Sequence, residues 1–339
     1  MSASLVLVCN SRDKTIGLAM LSADGRLDDF ATVPLPDVEG NNGPSPMAVS
    51  PDGRMLYVAF RGSPFAVLSF QIDYRHRTLS YLGKAPLPES MAYIATDRTG
   101  RLLFGASYGT GIFSVSRIGA DGIAEAPLAT LEAGDKSHCT IISPDNRVVL
   151  VPCVGLDQIV RIGFDGATGR IERLAIPAVQ LPAGAGPRHL VLHPGGRFAY
   201  VVNQEGGSVT ALRIGADMVM TPIETVNITP ENHAGPRLSS DIHLTPDGSL
   251  LYASERESNT IAGFRVDQQS GRLTQAESIT APATPRGFAI DPTGRFLLSL
   301  GENTGTITSY AIDRQTGKLR QVQETKVGNG PNWVEILTA

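Results

Sequence analysis

Three basic side chains hold the same place in a recurring sequence pattern: His138, Arg188 and Arg286. Each precedes, by one constant spacing, a glycine or asparagine that marks a turn, and each stands where an apolar segment begins. An imidazole with an ordinary pKa of about 6.5 can accept a proton at neutral pH. Guanidinium groups bind carboxylates or phosphates through paired hydrogen bonds. These residue types therefore indicate proton transfer beside a bound anion.

The stretch from Gly184 to Glu205 shows how such residues are positioned. Its two apolar, β-branched segments, RHLVLH and RFAYVVN, flank a turn made of Pro194-Gly195-Gly196-Arg197, which is typical of a β-hairpin. Antiparallel pairing brings Arg188 and Gln204 together at the open end of this hairpin. Strand alternation turns His189 away from Arg188, so we expect His189 to support the site and not to contact the ligand.

Further polar residues are expected at the same open ends. The candidates at or beside the ends of the second strands are Arg61, Gln204, Glu205 and Arg256, and those at or near the starts of inner strands are Arg237, Asp241 and Asn332. Together they point to a small anionic ligand. Acidic residues at this end could bind a cation, but the arginines would repel it, so we expect no metal. His193 and His243 lie close to turns and are expected to be structural.

The hairpin recurs along the whole chain. Its turn residues are Gly53, Gly100, Asn146, Gly196, Gly248 and Gly294. The spacing of roughly 48 residues leaves room for four short strands, which is the content of one propeller blade. No segment has a sustained helical period, so helix should be nearly absent.

The two ends of the chain complete a seventh unit. The segment GPNWVEIL (330–337) copies the start of a hairpin, and the first segment resembles the other three strands of a blade. Joining them pairs strand edges that would otherwise be exposed. The sequence therefore predicts an all-β, seven-bladed β-propeller with four antiparallel strands per blade, formed by residues 1–339 as one domain.

Composition narrows the classes of partner. The net charge of −4 gives no general attraction to nucleic acid or to anionic membranes. The three cysteines, Cys9, Cys139 and Cys153, show no short CxxC spacing, which argues against a disulfide framework. No apolar run is long enough for a membrane span. We expect a soluble, cytoplasmic protein.

Four segments in one register carry a family resemblance: SHCTIISPDNR, GAGPRHLVLHP, RLSSDIHLTPDG and PRGFAIDPTGRF. With them the chain resembles the seven-bladed propeller lactonases, most closely the bacterial propeller-type 6-phosphogluconolactonases. The resemblance implies hydrolysis of a sugar δ-lactone to the open acid, a small anionic sugar lactone as partner, and no cofactor. His138 would then be the base. Arg188 and Arg286 would stabilise the oxyanion or bind the terminal anion.

The related fungal carboxymuconate cyclase is similar too, and its site is assigned to one His, two Arg and one Glu. By motif these are His138, Arg188 and Arg286, whereas the Glu position holds Gln204, with Glu205 one residue later. This departure leaves open whether Glu205 takes over or the substrate differs. The alternatives are a lactonase for an unphosphorylated aldonic or aldaric lactone, a muconate-type cycloisomerase, and a binding propeller without catalysis.

Overall fold

The computed structural model describes residues 4–40 and 43–338, whose strands form seven antiparallel sheets. Strands β1 (Ser4–Asn10), β2 (Thr15–Leu21) and β3 (Ala31–Pro34) come first and belong to the closing blade. Blade 1 contains β4 (Met47–Val49), β5 (Met55–Phe60), β6 (Ala66–Asp73) and β7 (Thr78–Pro86). Blade 2 contains β8 (Met91–Thr96), β9 (Leu102–Ser107), β10 (Ile112–Ile118) and β11 (Ala124–Glu132). Blade 3 contains β12 (Ile141–Ile142), β13 (Val148–Cys153), β14 (Gln158–Phe164), β15 (Ile171–Arg173) and β16 (Val179–Gln180).

The second half of the ring repeats this plan. Blade 4 contains β17 (Pro187–Leu192), β18 (Phe198–Asn203), β19 (Ser208–Ile214) and β20 (Met220–Asn227). Blade 5 contains β21 (Ser239–Leu244), β22 (Leu250–Glu255), β23 (Thr260–Val266) and β24 (Leu273–Thr280). Blade 6 contains β25 (Phe288–Ile290), β26 (Phe296–Gly301), β27 (Thr306–Ile312) and β28 (Leu319–Lys326). The last strand is β29 (Pro331–Thr338).

The two ends of the chain share the closing blade, as predicted. Its strand order is β29-β1-β2-β3, with β29 in the inner position and antiparallel to β1. Gly287 lets blade 6 approach β29 closely, because a Cβ atom there would lie 2.6 Å from the carbonyl oxygen of Asn332. The seven-bladed β-propeller is therefore confirmed. Blade 3 departs from four strands, since β16 adds a fifth that pairs with β14.

Helix is nearly absent from the described residues, also as predicted. They contain only short 3-10 turns at Val154–Leu156 and Ala216–Met218. No helix within residues 4–40 and 43–338 is long and apolar enough to cross a membrane. The cytoplasmic location stays a prediction.

The core lies between neighbouring blades. The cluster between blades 4 and 5, for example, contains the fully buried side chains of Phe198, Tyr200 and Leu251, and burying each such side chain stabilises the fold by about 1.5–3 kcal/mol. The hydroxyl of Tyr200 also donates a 3.0 Å hydrogen bond to the carbonyl of Gly271 in blade 5. Apolar packing and a buried hydroxyl therefore fix blade 4 against blade 5.

Candidate active site

The inner strands begin at one mouth of the central channel, beside two adjoining cavities. The cavities share Ala92, His138 and Arg286. The outer cavity, of about 200 Å³, is also lined by Arg61, Tyr108, Gln204, Leu238 and Arg256. The inner cavity, of about 260 Å³, is also lined by Pro44, Tyr93, Arg188, His189, Asp241, His243, Gly287, Phe288, Ala289, Ile290, Asn332, Trp333, Val334, Glu335 and Ile336. The predicted base and both predicted arginines therefore lie on one continuous surface.

β-Bulges determine the direction of two of these side chains. On β17, Pro187 faces Asn203 and His189 faces Val202, so Arg188 is an extra residue without a partner. On β29, the residues before and after Asn332 face consecutive residues of β1, so Asn332 is also an extra residue. A bulge interrupts strand alternation and turns its side chain out of the regular pattern. Arg188 and Asn332 reach the cavity for this reason.

His138 lies at the junction of the two cavities. Its side chain is buried, and its Nδ1 atom has no hydrogen-bond partner among the described residues. Its ring packs edge-on against Tyr108 and His189, with centroids 5.6 and 5.1 Å away. Burial, and then the positive charge of Arg188, lowers the pKa of His138 well below 6.5. The imidazole is therefore neutral at neutral pH, the form that accepts a proton.

Arg188 is the most enclosed of the arginines at the mouth. It is 2% exposed, and its Nη1 atom donates to the carbonyl oxygen of Ser240. Nη1 also lies 3.2 Å from Nε2 of His189, whereas the Nε atom of Arg188 has no hydrogen-bond partner among the described residues. Burial, Arg256 and Arg286 lower the pKa of Arg188. A guanidinium is so basic that it stays charged at neutral pH.

The other three predicted arginines that line the cavities differ in their partners. Arg286 lies 3.7 Å from the Glu302 carboxylate. Arg256 donates to two neutral acceptors, the carbonyl of Leu238 at 3.0 Å and the side-chain oxygen of Gln204 at 3.2 Å. Arg61 donates to the hydroxyl of Ser90 and to the carbonyl of Pro44.

These arginines repel one another across the mouth. Burial, and then the charge of Arg286, lowers the pKa of both Arg61 and Arg256 to about 10. The mouth is thus a concentrated positive field, which attracts an anion.

Gln204 and Glu205 take different positions. Gln204 is buried on the wall of the outer cavity, in contact with Arg256. Glu205 lies on the rim, is 45% exposed, and forms an ion pair of 3.6 Å with Lys136. Neither cavity is lined by Glu205. The amide, not the carboxylate, therefore lies at the position predicted from the resemblance.

Asn332 and Arg237 also differ. Asn332 is buried at the inner cavity, where Nδ2 donates to the carbonyl of Ser45 and Oδ1 has no partner among the described residues. Arg237 is exposed and donates to the carbonyl of Gly206. It lines neither cavity.

Five further residues line the inner cavity, although the sequence did not place them at the site or placed them differently. They are Tyr93, His189, His243, Trp333 and Glu335. The expectation that His189 points away from Arg188 is wrong, because the bulge brings the two side chains into contact. His243, expected to be structural, lies 3.3 Å from the Asp241 carboxylate on the cavity wall. The sequence did contain a signal for this position, because His243 lies along β21, at a distance from the hairpin turn.

Glu335 and Trp333 form a pair deeper in the same cavity. The indole Nε1 of Trp333 donates to Oε1 of Glu335 at 2.7 Å. Burial raises the pKa of Glu335 to about 7. Among residues 4–40 and 43–338, no group of three His, Cys, Asp or Glu side chains is placed to hold a metal ion.

The chain is similar to known proteins over nearly its whole length. It is 38% identical to a 6-phosphogluconolactonase from Pectobacterium carotovorum subsp. carotovorum over 334 residues, which cover 98% of both chains. It is 37% identical to a 6-phosphogluconolactonase from Serratia proteamaculans, again over 98% of both chains.

A solved structure shares the fold. The periplasmic gluconolactonase of Pseudomonas aeruginosa matches with a TM-score of 0.89 and 24% identity, over 99% of both chains. At that identity the likeness shows the fold alone. The model of the family described as "Lactonase, 7-bladed beta-propeller" matches residues 9–336. The chain therefore belongs to the seven-bladed β-propeller lactonase family.

Proposed function

We propose that this protein hydrolyses 6-phosphogluconolactone to 6-phosphogluconate, a step of the pentose phosphate pathway, in the cytoplasm. One observation carries the proposal: a neutral, buried imidazole and several guanidinium groups converge on one small pair of cavities. This arrangement places a proton acceptor beside positive charges that can bind an anionic substrate. The full-length relatives named 6-phosphogluconolactonase support the same assignment.

The outer cavity suits the phosphate group. Arg256 has only neutral hydrogen-bond acceptors there, so a dianionic phosphate would supply the negative charge that Gln204 does not. Arg61 and Arg286 line the same cavity and add to the field. Hydrogen bonds between guanidinium and phosphate are among the strongest that proteins make. We assign the phosphate anchor to Arg256, with Arg61 beside it.

His138 then serves as the base. It removes a proton from a water molecule, and the resulting hydroxide attacks the lactone carbonyl carbon and forms a tetrahedral oxyanion. Collapse of this intermediate breaks the bond between the carbonyl carbon and the ring oxygen, and His138 returns its proton to that oxygen. The new carboxylic acid loses its own proton to solvent. Water and lactone thus become a hydroxyl, a carboxylate and one released proton.

Arg188 and Arg286 stabilise the oxyanion. Both line the inner cavity with His138, and Arg188 is almost inaccessible to water. A fixed charge in such an environment stabilises developing negative charge more strongly than the same charge in water. The negative charge of bound substrate also offsets the neighbouring arginines. It therefore raises the pKa of His138 and favours proton transfer at the moment of reaction.

The test compares 6-phosphogluconolactone with glucono-δ-lactone by following acid release, with the spontaneous rate subtracted. We expect wild-type kcat/KM to be higher for the phosphorylated lactone. Arg256→Met should raise KM for that substrate about 10-fold or more and change the unphosphorylated reaction little. Arg197→Met is the matched control, because Arg197 is an exposed arginine of a distant turn. Equal wild-type kinetics on both lactones would remove the phosphate anchor, and turnover of neither would overturn the function.

A further inference from the structure

The carboxylate of Asp241 is saturated by protein donors. Oδ1 lies 2.8 Å from Nδ1 of His189 and accepts from the backbone N–H of Ile242 at 3.0 Å. Oδ2 accepts from the backbone N–H of Phe288 at 3.1 Å and lies 3.3 Å from Nε2 of His243. A carboxylate offers about four acceptor positions, and all are occupied. Asp241 therefore has no acceptor position left for a hydrogen bond from the substrate.

His189 is the residue through which it can act. Nη1 of Arg188 is a donor only, so Nε2 of His189, 3.2 Å away, must accept. The ring proton then lies on Nδ1, where it donates to Asp241. Burial, and then the charge of Arg188, lowers the pKa of His189 to about 4, so the ring is neutral at neutral pH. The result is an ordered chain from carboxylate to imidazole to guanidinium.

Arg188 lacks a direct counter-charge. Among the described residues, no carboxylate forms an ion pair with its guanidinium, whereas Arg286 has Glu302 at 3.7 Å. Arg188 is nevertheless the more deeply buried of the two. A buried charge that is unpaired destabilises the fold. The nearest full negative charge in its hydrogen-bonded chain is Asp241, one imidazole away.

We propose that Asp241 is a positioning residue for lactone opening, which supplies the counter-charge of Arg188 through the neutral ring of His189 and so holds the guanidinium beside His138. The inference rests on the proposed function. His189 also supports the site in a second way, because its ring packs edge-on against that of His138. Asp241 also fixes the neighbouring blades, since it bonds His189 of blade 4 and Phe288 of blade 6.

The kinetic test uses two replacements of His189 that each keep one ring position. Gln places its terminal oxygen near the former Nε2 and can still accept from Arg188, whereas Asn keeps a donor near Nδ1 and loses that acceptor. We expect His189→Asn and Asp241→Asn to lower kcat/KM about 10-fold or more. His189→Gln breaks the link to Asp241 and should lower kcat/KM by a similar factor, because Asp241 then no longer acts on Arg188.

A double substitution tests whether Asp241 acts through His189. In the His189→Gln background, adding Asp241→Asn should change kcat/KM much less than it does in wild type. The matched control is Asp291→Asn. Asp291 is a similarly buried carboxylate that accepts from its own turn, through the N–H groups of Arg295 and Phe296. That control should lower the melting temperature and leave the kinetics unchanged.

A readout without substrate separates this inference from the proposed function. In ligand-free protein, imidazole ¹⁵N spectra should show His189 protonated at Nδ1 and not at Nε2, with that preference weakened by Asp241→Asn. The opposite tautomer in wild type would overturn the inference even if the lactone is hydrolysed. So would equal kinetic losses from Asp241→Asn in both backgrounds. Failure of wild type to open the phosphorylated lactone, with the expected tautomer present, would overturn only the function.

Discussion

The two ends of the inner hairpins differ in how their buried polar groups are satisfied by hydrogen bonds. At the turn end, local side chains satisfy the backbone in blade after blade. The Asp97 carboxylate, which is fully buried, accepts from the N–H groups of Thr99, Arg101 and Leu102 and from the side chain of Asn146. Gly196 takes the positive φ of 70° that its turn requires. Most buried polar groups at this end are satisfied within or between the turns, with Nε2 of His193 as an exception among the described residues.

At the mouth end, buried polar atoms lack such partners. Nδ1 of His138, Nε of Arg188 and Oδ1 of Asn332 are buried without a hydrogen bond to any described residue, and all three residues line the inner cavity. An unsatisfied buried polar group destabilises a fold by about 1–3 kcal/mol. Other unsatisfied atoms are scattered through the molecule, but these three converge. Satisfied polar groups that recur from blade to blade thus maintain the ring, whereas the unsatisfied polar groups at irregular positions line the candidate site.

Of the substitutions that test this difference between the two ends, the one at His138 is expected to have the largest effect. His138→Ala should lower kcat for lactone opening by about 100-fold or more, because the base is lost. Stability should hardly change, since the substitution also removes an unsatisfied buried nitrogen. Steady-state acid release and thermal unfolding measure the two effects. Full activity of the variant at neutral pH would show that His138 is not the base.

The reverse result is expected at the turn end. Asp97→Ala should lower the free energy of unfolding by about 2 kcal/mol, because it leaves several buried N–H groups without an acceptor. Denaturant unfolding measures this loss. The kcat/KM of the folded variant should equal that of wild type, because Asp97 contacts neither cavity. A kinetic loss as large as that of His138→Ala would mean that the two ends do not divide stability and chemistry.

The smallest effect sharpens the electrostatic difference within the mouth. Burial lowers the pKa of His243, but the Asp241 carboxylate outweighs burial and raises it above 6.5. The pKa of His138 is lowered well below 6.5 and that of His189 to about 4. On acidification His243 should therefore gain its proton first, with the other two rings still neutral at pH 6.5. Imidazole NMR titration of the ligand-free protein, assigned by single substitutions, would contradict this order if His138 charged at or above that pH.

Much of the architecture follows from local patterns. Alternating apolar segments around turns such as that at Gly196 predicted the hairpins, and their even spacing predicted the number of blades. The incomplete last segment, which ends at Leu337, predicted closure by both termini. The fifth strand of blade 3, Val179–Gln180, lay beyond this reasoning, because it has no counterpart in the other repeats.

The site was predictable only in part. His138, Arg188 and Arg286 share one register position, and a residue at a fixed place in each repeat comes to the same end of the ring. That a set of cationic side chains would meet there follows from periodicity. The direction of His189 was predicted wrongly, because strand alternation assumes a regular ladder and the bulge at Arg188 interrupts it.

The sequence by itself determined the ring, because its hairpins repeat with a regular period. It also determined the charge of the mouth, because one fixed position of that repeat holds His138, Arg188 and Arg286. Only the tertiary structure decided which polar atoms would be satisfied. The contacts of Asp241 with His189 and Phe288 join three blades, and Trp333 and Glu335 enter the cavity only because the last strand closes the ring. Such contacts depend on bulges and on the fit between neighbouring sheets. Neither bulges nor the fit between sheets produces a periodic pattern in the sequence.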